Sequence, residues 1–429
     1  MSSTDPTFCV PKIRLGEISS KIGSGATPRG GKESYKTEGI SLIRSMNVYD
    51  SEFDYSGLAY IDEDQAKSLN NVRVEEDDVL LNITGASVAR CCLVPKNVLP
   101  ARVNQHVAIV RIRKTQADPY YVHYCLISPR YKDSLLSIAQ GGATREALTK
   151  EKIEEFRIPL PPLPTQQKIA AILSAYDDLI ENNLRRIKRL EEMAQNLYRE
   201  WFIKFRFPGH QNARFVDSPL GRIPEGWEVV TFGQLYTTAS GGTPSRKVEQ
   251  YYGGAHPWVK TRELNDGFIF ETEENITDLG LRKSSAKLFP TNTVILAIYG
   301  ATIGKLGIIS MPSATNQACV AILPQTDGFG RAFAFLFLRE NKDKLISLGQ
   351  GAAQQNISQV VLKKYGACRP PLNVLNTFSE LSEPLLDQIK NLQQKNTTLR
   401  RTRDLLLPRL ISGEVDVSEL DIAIPEEAV

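Results

Sequence analysis

The sequence predicts an α+β protein in which two tandem α+β domains are separated by two long helices. Three observations predict this fold class. Landmarks of the first half recur in the second at a separation of about 210 residues, short β-branched runs alternate with Gly, Pro and Asn turns, and each half contains a long apolar heptad pattern. Two copies of a domain-plus-helix unit fit a chain of 429 residues, which is long for one ordinary domain.

Six dipeptide landmarks occur in both halves in the same order. The pairs are Leu15-Gly16 with Phe232-Gly233, Thr27-Pro28 with Thr243-Pro244, Gly85-Ala86 with Gly300-Ala301, Asn104-Gln105 with Asn316-Gln317, Gln140-Gly141 with Gln350-Gly351, and Pro161-Pro162 with Pro370-Pro371. The separation falls steadily from 217 to 209 residues. Small loop deletions after a duplication leave such a drift, so an internal pseudo-twofold duplication is expected.

The first part of each copy is predicted to be the α+β domain, over residues 1–160 and 210–369. Runs such as HVAIVRI (106–112), VILAIY (294–299) and CVAIL (319–323) are typical of short strands between turns. The remaining segments are predicted to be spacer helices, over 161–209 and 370–413, and an acidic tail over 414–429.

The helical part of the first copy follows the stiff segment PLPPLP (159–164). Thr165 is a plausible N-cap, and the helix is expected to run to about Phe205, or roughly 60 Å at 1.5 Å per residue. A narrow heptad seam of this length favours a two-helix coiled coil over an ordinary amphipathic core helix, which is the alternative. The predicted seam includes Ile180, Asn183, Ile187, Leu190, Leu197, Ile389, Leu392, Asn396 and Leu399.

The two seams align when the first is shifted by 209 residues. In a duplicated chain the helices are therefore expected to pair antiparallel, with one α+β domain at each end and a fixed span between them. Asn183 and Asn396 would fix register or direction at a cost in stability. Pro384 indicates a kink or a late start of the second helix, and Pro408 lies near its end.

Charge and composition leave several classes open and exclude others. Lys and Arg number 52 against 49 Asp and Glu, a net charge of +3. Residues 414–429 hold six of these acids and no Lys or Arg, so that without them the net charge rises from +3 to +9. This allows a modest attraction to polyanions without requiring it. We expect no membrane span and no signal peptide, and the six unpatterned cysteines favour reduced thiols in a cytoplasm.

Motifs of catalysis and cofactor binding are incomplete. GSGATP (23–28) lacks the third glycine of a dinucleotide loop, Glu340 and Lys342 lack the other parts of a nuclease site, and the four histidines show no metal-ligand spacing. We therefore expect no catalytic residue, no metal and no cofactor bound by this chain. Two similar domains without a catalytic constellation suggest recognition.

The loops of both predicted domains are rich in Gly, Ser, Thr, Asn, Gln and Arg, which donate hydrogen bonds to phosphates and base edges. The candidates in the first domain are Ser24, Thr27, Arg29, Lys32, Arg44, Asn47, Arg90, Thr144 and Arg145. Those in the second are Thr243, Ser245, Arg246, Lys247, Lys260, Arg262, Glu263, Lys305, Gln354, Gln355 and Asn356. The alternative is that the loops are simple turns with solvated basic residues.

The chain resembles the specificity (DNA-recognition) subunits of type I restriction–modification systems. The resemblance lies in PLPPLPTQQKIAAIL (159–173), ENNLRRIKRLEEMAQNLYREWFIKF (181–205), RDLLLPRLISGEV (403–415) and the paired SGATP and SGGTP loops. IPEGWEVVTFGQL (223–235) is similar to the usual opening of the second recognition domain. The helical motifs are specific to the family, whereas the loops are only typical of it.

The resemblance implies a non-catalytic subunit with two target recognition domains, each of which reads one half of a bipartite double-stranded DNA site. It implies that two antiparallel helices set the spacing and dock two methyltransferase subunits, which bring S-adenosylmethionine, and that motor–nuclease subunits join this core. A coiled-coil adaptor with end domains that bind proteins or glycans is the alternative from another class. A stand-alone enzyme is the weaker rival.

Overall fold

The computed structural model describes residues 10–141, 147–324, 328–349 and 356–424. The chain divides into two compact units. Unit 1 comprises Met1–Glu181 and Thr398–Val429, and unit 2 comprises Asn182–Thr397. Each unit therefore holds one α+β domain with part of both long helices.

The α+β domain of unit 1 has short strands and short helices. Its strands are Lys12–Arg14, Ser19–Ser24, Ile40–Ile43, Val48–Tyr49, Glu52–Phe53, Ala59–Ile61, Arg73–Val74, Val79–Asn82, Cys91–Leu93, Ala101–Val103, Val107–Ile112 and Arg157–Pro159. Its α-helices are Leu15–Ile18, Glu63–Ser68, Pro119–Ile127, Pro129–Gln140 and Lys150–Glu154.

Two four-stranded sheets organise this domain. In one, Ser19–Ser24, Val107–Ile112, Val79–Asn82 and Cys91–Leu93 lie side by side and antiparallel. Alternate side chains of its central strands enter two separate apolar clusters: Ala108 and Val110 pack with the helices, whereas Val107 and Ile109 pack with the second sheet. The period of two in a strand places successive residues on opposite faces, and both faces are covered, which explains the uninterrupted apolar runs.

Unit 2 repeats most of these elements in the same order and adds a hairpin of Phe215–Ser218 and Gly221–Pro224 before them. Its strands are Phe215–Ser218, Gly221–Pro224, Glu228–Thr231, Tyr236–Ser240, Tyr252–Val259, Gly267–Ile269, Asn275–Ile276, Leu288–Phe289, Val294–Ala297, Leu306–Ile309, Ser313–Thr315, Cys319–Pro324 and Gly366–Arg369. Its short α-helices are Phe232–Leu235, Asp278–Arg282, Arg331–Glu340, Lys342–Leu348 and Gln359–Lys364.

The strand order in the sheets of unit 2 repeats that of unit 1, which confirms the predicted duplication. Tyr236–Ser240, Cys319–Pro324, Val294–Ala297 and Leu306–Ile309 are neighbours in the same sequence as their counterparts in unit 1. Unit 2 adds Gly267–Ile269 as a fifth, parallel strand at the edge of this sheet. The apolar side chains again alternate between two clusters.

The first long helix is Leu163–Tyr198 and the second is Leu372–Ser412. The first helix begins at Leu163, two residues before Thr165, so the assignment of Thr165 as N-cap is wrong. The backbone N–H of Thr165 already donates to the carbonyl of Pro162 at 2.9 Å. The α-helical part of this helix also ends before Phe205, because Arg199–Ile203 widens into a π-helical turn. The second helix continues unbroken past Pro384 and Pro408 and ends at Ser412, just before Gly413, whose φ of 78° is favourable for glycine.

The long helices run antiparallel within unit 2. Asn183 hydrogen-bonds Asn396, and fifteen residues further along the first helix the ring of Tyr198 lies 6.3 Å from that of Phe378, eighteen residues back along the second. The predicted seam residues Ile180, Asn183, Ile187, Leu190, Leu197, Ile389, Leu392, Asn396 and Leu399 are all buried or half-buried.

The helices are also antiparallel within unit 1, where Asp177 forms an ion pair with Arg403 and Lys168 donates to the carbonyl of Ser418 at 2.6 Å. Near the domains the buried stripe is wider than a heptad seam. Leu386 and Leu407 are buried outside the predicted seam because they pack into the domain cores. Within the described residues, no helix is long and apolar enough to span a membrane.

Candidate nucleic-acid interface

The SGATP and SGGTP loops occupy equivalent places in the two domains. Each follows a sheet strand and passes very close to a neighbouring backbone. A Cβ atom on Gly25 would lie 2.0 Å from the carbonyl oxygen of Val103, and one on Gly241 would lie 2.0 Å from that of Thr315. Only glycine fits at these two positions, which explains why both copies of the loop carry it.

The threonine of each loop is fixed by a glutamine from another duplicated landmark. The hydroxyl of Thr27 donates to Oε1 of Gln105, and the hydroxyl of Thr243 donates to Oε1 of Gln317. The same pair of residues therefore joins the same two turns in each domain. We call this arrangement, Thr27–Gln105 in unit 1 and Thr243–Gln317 in unit 2, the Thr–Gln framework.

In unit 1 the framework continues into a surface cleft. Nε2 of Gln105 lies 3.2 Å from Nε2 of His106, whose Nδ1 lies 2.7 Å from the hydroxyl of Thr84. The guanidinium of Arg90 lies 4.5 Å from the ring centroid of Tyr49. The cleft has a volume of about 430 Å³, and its lining residues are Ser45, Met46, Tyr49, Thr84, Gly85, Ala86, Ser87, Arg90 and His106. It offers hydroxyl, imidazole, guanidinium and aromatic groups together, which are the groups that contact bases and phosphates.

Arg44 begins a tight turn beside this cleft. Its backbone N–H donates to Oδ1 of Asn47 at 3.0 Å, and its guanidinium donates to the carbonyl of Gly57 and lies 5.6 Å from the ring centroid of Tyr35. Asn47 itself is 0% exposed and also donates to the carbonyl of Asp54 at 2.8 Å. The structure therefore gives Asn47 a positioning role in place of the predicted direct contact with DNA.

Lys260 begins the equivalent turn in unit 2. Its backbone N–H donates to one carboxylate oxygen of Glu263, and the other accepts from the backbone N–H of Glu273 at 3.1 Å. Burial raises the pKa of the Glu263 carboxyl, against the opposing effect of the bond from Lys260. Since both oxygens accept from backbone amides, Glu263 holds two loops together. Unlike Asn47 it is only half-buried, and its predicted contact with DNA stays a prediction.

The predicted cations of this turn, and Arg246 just after the SGGTP loop, are paired with acids of the neighbouring loop. The Lys260 ammonium lies 3.1 Å from carboxylate oxygens of both Glu273 and Glu274. Arg246 lies 2.7 Å from Glu274, and Arg262 pairs with Glu273. The hydrogen bond from Arg246 is the first cause of a lowered pKa at the Glu274 carboxyl.

Lys305 also has a carboxylate partner, since its ammonium lies 2.9 Å from Asp266. Four of the cations predicted in unit 1 lie in the described ranges, namely Arg29, Lys32, Arg44 and Arg90. Within those ranges, none of these four side chains forms an ion pair with a carboxylate.

Most of the other predicted contacts are exposed or half-exposed loop residues. Ser24, Arg29, Lys32, Thr243, Ser245, Lys247 and Asn356 are exposed or lie at the loop surface. The backbone of Asn356 forms an isolated antiparallel β-bridge with that of Tyr299, beside the Gly300 turn. Thr144, Arg145, Gln354 and Gln355 lie outside the described residues.

Sequence reasoning missed several residues of the candidate interface. Gln105 and Gln317 were recognisable as repeat landmarks, and their duplication was the available signal for the Thr–Gln framework. Tyr49, His106 and Glu273 carry no motif, since their place depends on which loops the fold brings together.

Groups suited to a metal do not occur among the residues that the structure describes: no three His, Cys, Asp or Glu side chains converge there. Burial raises the pKa of the Cys91, Cys92, Cys125 and Cys319 thiols, which keeps them protonated.

Known proteins match the chain over most of its length. The family described as type I restriction modification DNA specificity domain matches residues 10–192 and 224–400. The MjaIX specificity subunit of a Methanocaldococcus jannaschii type I restriction enzyme is 27% identical over 96% of this chain and 94% of its own length. The HindI specificity subunit of Haemophilus influenzae is 23% identical over 88% of this chain and 94% of its own.

Among solved structures, the S subunit of a type I restriction–modification system from M. genitalium has a TM-score of 0.63 at 13% identity. The superposition covers 95% of this chain and 98% of the M. genitalium subunit, which shows a shared fold. The matched ranges contain both copies of the Thr–Gln framework and most of both long helices. The chain therefore belongs to the type I restriction modification DNA specificity family, as a specificity subunit with two recognition domains.

Proposed function

We propose that each recognition domain reads one half of a bipartite double-stranded DNA site. The single observation that carries the proposal is the duplicated Thr–Gln framework, which places polar and cationic loops at the same surface position in both domains. Two similar reading surfaces in one chain suit a target with two specified halves. DNA as the ligand implies a cytoplasmic location.

The mode of recognition that these side chains support is direct readout from loops. Arg90 and the polar groups of the cleft are suited to base edges in the major groove, and exposed cations such as Arg29 and Lys32 are suited to phosphates that set the register. If both domains bind one face of the duplex, the half-site centres lie about one helical turn, roughly ten base pairs, apart.

The long helices are proposed to set the length of the unspecified gap and to dock two methyltransferase subunits. Each helix is continuous for more than thirty residues, which makes it a stiff spacer. S-adenosylmethionine is proposed to be carried by the methyltransferase subunits, with this chain non-catalytic and without a cofactor. Motor–nuclease subunits would then join the assembly.

Single-molecule methylome sequencing of the host tests the proposal. Deletion of this chain is expected to remove methylation at one bipartite motif, and the restored wild-type chain is expected to return it at the same motif. An unchanged methylome after deletion would contradict the proposed function.

Salt dependence distinguishes DNA recognition from a coiled-coil adaptor for proteins or glycans. DNA binding through several phosphate contacts must weaken steeply as the salt concentration rises.

Incubation of the purified chain with S-adenosylmethionine and DNA tests the non-catalytic assignment, because methyl transfer without a partner subunit would contradict it.

A further inference from the structure

The two recognition domains give the predicted cations different partners on the same backbone framework. Arg44 of unit 1 has its guanidinium on a neutral acceptor, the carbonyl of Gly57. Lys260 begins the equivalent turn of unit 2, and its ammonium instead lies between the carboxylates of Glu273 and Glu274. At this equivalent position, the partner of the cation is therefore a peptide carbonyl in unit 1 and two carboxylates in unit 2.

Glu273 and Glu274, which we call the carboxylate pair, contact three cations at once. Arg246 pairs with Glu274, Arg262 pairs with Glu273, and Lys260 contacts both. The Arg246 guanidinium is also held 4.4 Å from the ring centroid of Tyr252. Three positive charges therefore share two negative ones, whereas Arg29, Lys32, Arg44 and Arg90 of unit 1 have no carboxylate partner within the described ranges.

This network lies at the surface and is open to exchange. The side chains of Arg246, Arg262 and Glu273 are 54%, 57% and 55% exposed, whereas Lys260 is 13% exposed. Exposed ion pairs are weak because water and salt screen them. A phosphate or a base edge can therefore take the place of a carboxylate at the two arginines without unfolding the loop.

We propose that the carboxylate pair Glu273–Glu274 is a specificity determinant, which neutralises Arg246, Lys260 and Arg262 so that the second recognition domain has little affinity for DNA of arbitrary sequence. The inference rests on the proposed function. DNA must displace a carboxylate from each arginine before a phosphate or a base edge can bind there. Only a half-site that supplies further base contacts offsets this cost, so the pair favours cognate DNA over other DNA.

Salt dependence gives the inference a distinct signature. A free Lys or Arg that neutralises a phosphate releases a counterion from DNA, which makes binding fall with salt. Where the cation first leaves a carboxylate, the freed carboxylate takes up a cation from solution and cancels part of that release. Unit 1 is thus expected to supply most of the salt-dependent affinity of the chain.

The experiment compares the full-length wild-type chain with Glu273→Gln/Glu274→Gln on a fluorescent random-sequence duplex, by anisotropy across a salt titration. The double variant is expected to bind about tenfold more tightly near 0.1 M salt, with a log–log salt slope steeper by about two. Glu271→Gln is the matched control: Glu271 is exposed, lies two residues away and forms no ion pair with any residue that the structure describes. It removes one charge from the same loop and is expected to change both quantities much less.

Glu273→Gln alone serves as a second variant, because Glu273 is 55% exposed and its substitution is expected to leave the fold intact. About half of the effect of the double variant is expected. Equal affinities and slopes for the double variant and Glu271→Gln would overturn the inference while leaving the proposed function standing. Weaker binding by the double variant would also overturn it, because the carboxylates would then accept hydrogen bonds from bases. A wild-type chain that binds no duplex even at low salt would overturn the proposed function itself.

Discussion

Asn183 and Asn396 join the two long helices through their side-chain amides, with Nδ2 of Asn183 donating to Oδ1 of Asn396 at 2.8 Å. Both side chains are buried. A polar pair in an apolar seam costs stability but selects one alignment, because a shifted helix would leave both amides facing apolar groups. We infer that this pair fixes the register of the antiparallel helices.

Removal of one partner tests the coupling between these amides. Asn183→Leu is expected to lower the free energy of unfolding by about 1–3 kcal/mol, because it takes a buried hydrogen-bond partner from Asn396. The double variant with Asn396→Leu is expected to recover most of that loss. Urea denaturation of the four proteins in the double-mutant cycle measures this, and strictly additive losses would show that the two amides do not interact.

A second prediction concerns the contact between the first recognition domain and the helices within unit 1. Asp177 pairs with Arg403 and also accepts a hydrogen bond from the Tyr124 hydroxyl at 2.7 Å. Asp177→Asn is expected to destabilise unit 1 by about 2 kcal/mol or more, because the half-buried Arg403 loses its cross-helix charge partner. Tyr124→Phe, which removes only the hydroxyl, is the matched control and should cost about 1 kcal/mol. Thermal unfolding checks both, and an equal loss for the two variants would contradict a dominant ion pair.

A third prediction concerns pH and His123, which is buried beside Ser51 and Cys91. Burial, with a smaller effect of Arg403, lowers the pKa of His123 to about 3. Because the unfolded chain takes up this proton near pH 6.5 and the folded chain does not, the histidine costs stability as the pH falls below about 6.5. The expected contribution is about 1.4 kcal/mol per pH unit between about 6 and 4.

His123→Gln removes this titration. The variant is therefore expected to lose less unfolding free energy than the wild type between pH 7 and pH 5, whatever its stability at pH 7. Denaturant titrations at both pH values measure the difference. Parallel losses in the two proteins would show that the pKa of His123 is not lowered in the folded chain.

A fourth prediction concerns the independence of the two reading surfaces. Arg262→Ala is expected to relax recognition of only the half-site read by unit 2, at a cost of about 1–3 kcal/mol if the guanidinium contacts a guanine. Arg90→Ala is the matched change in unit 1 and is expected to affect only the other half-site. Methylome sequencing of hosts with each variant reports the two halves separately. Uniform weakening on all DNA would identify Arg262 as a phosphate contact.

Much of the fold was predictable because its signals are periodic or repeated. The duplicated dipeptides predicted two equivalent domains, and the heptad pattern predicted that residues such as Ile187 and Leu392 would be buried. The helix boundary was less accessible: Thr165 has the chemistry of an N-cap, but the chain turns helical at Leu163, where Pro164 fits the first turn.

The candidate interface was predictable in its loops but less so in its individual residues. Asn47 was predicted to contact DNA, yet its side chain is buried and binds backbone groups within the turn. Whether a polar side chain faces solvent or its own backbone depends on how the turn closes. The partners of Arg246 and Lys260 come from a loop that tertiary folding brings alongside, so neighbouring sequence gives no sign of them.

The measurement that tests the account most directly is the gap length after one heptad is added to each long helix. Duplication of residues 184–190 and of 389–395 preserves the seam pattern and adds about 10.5 Å to both helices. At 3.4 Å per base pair, methylome sequencing is expected to show the same two half-sites with a gap longer by about three base pairs. Insertion in only one helix is the control and should abolish methylation, because the antiparallel seam no longer aligns. An unchanged gap in the variant with both insertions would contradict the claim that the helix pair sets the spacing.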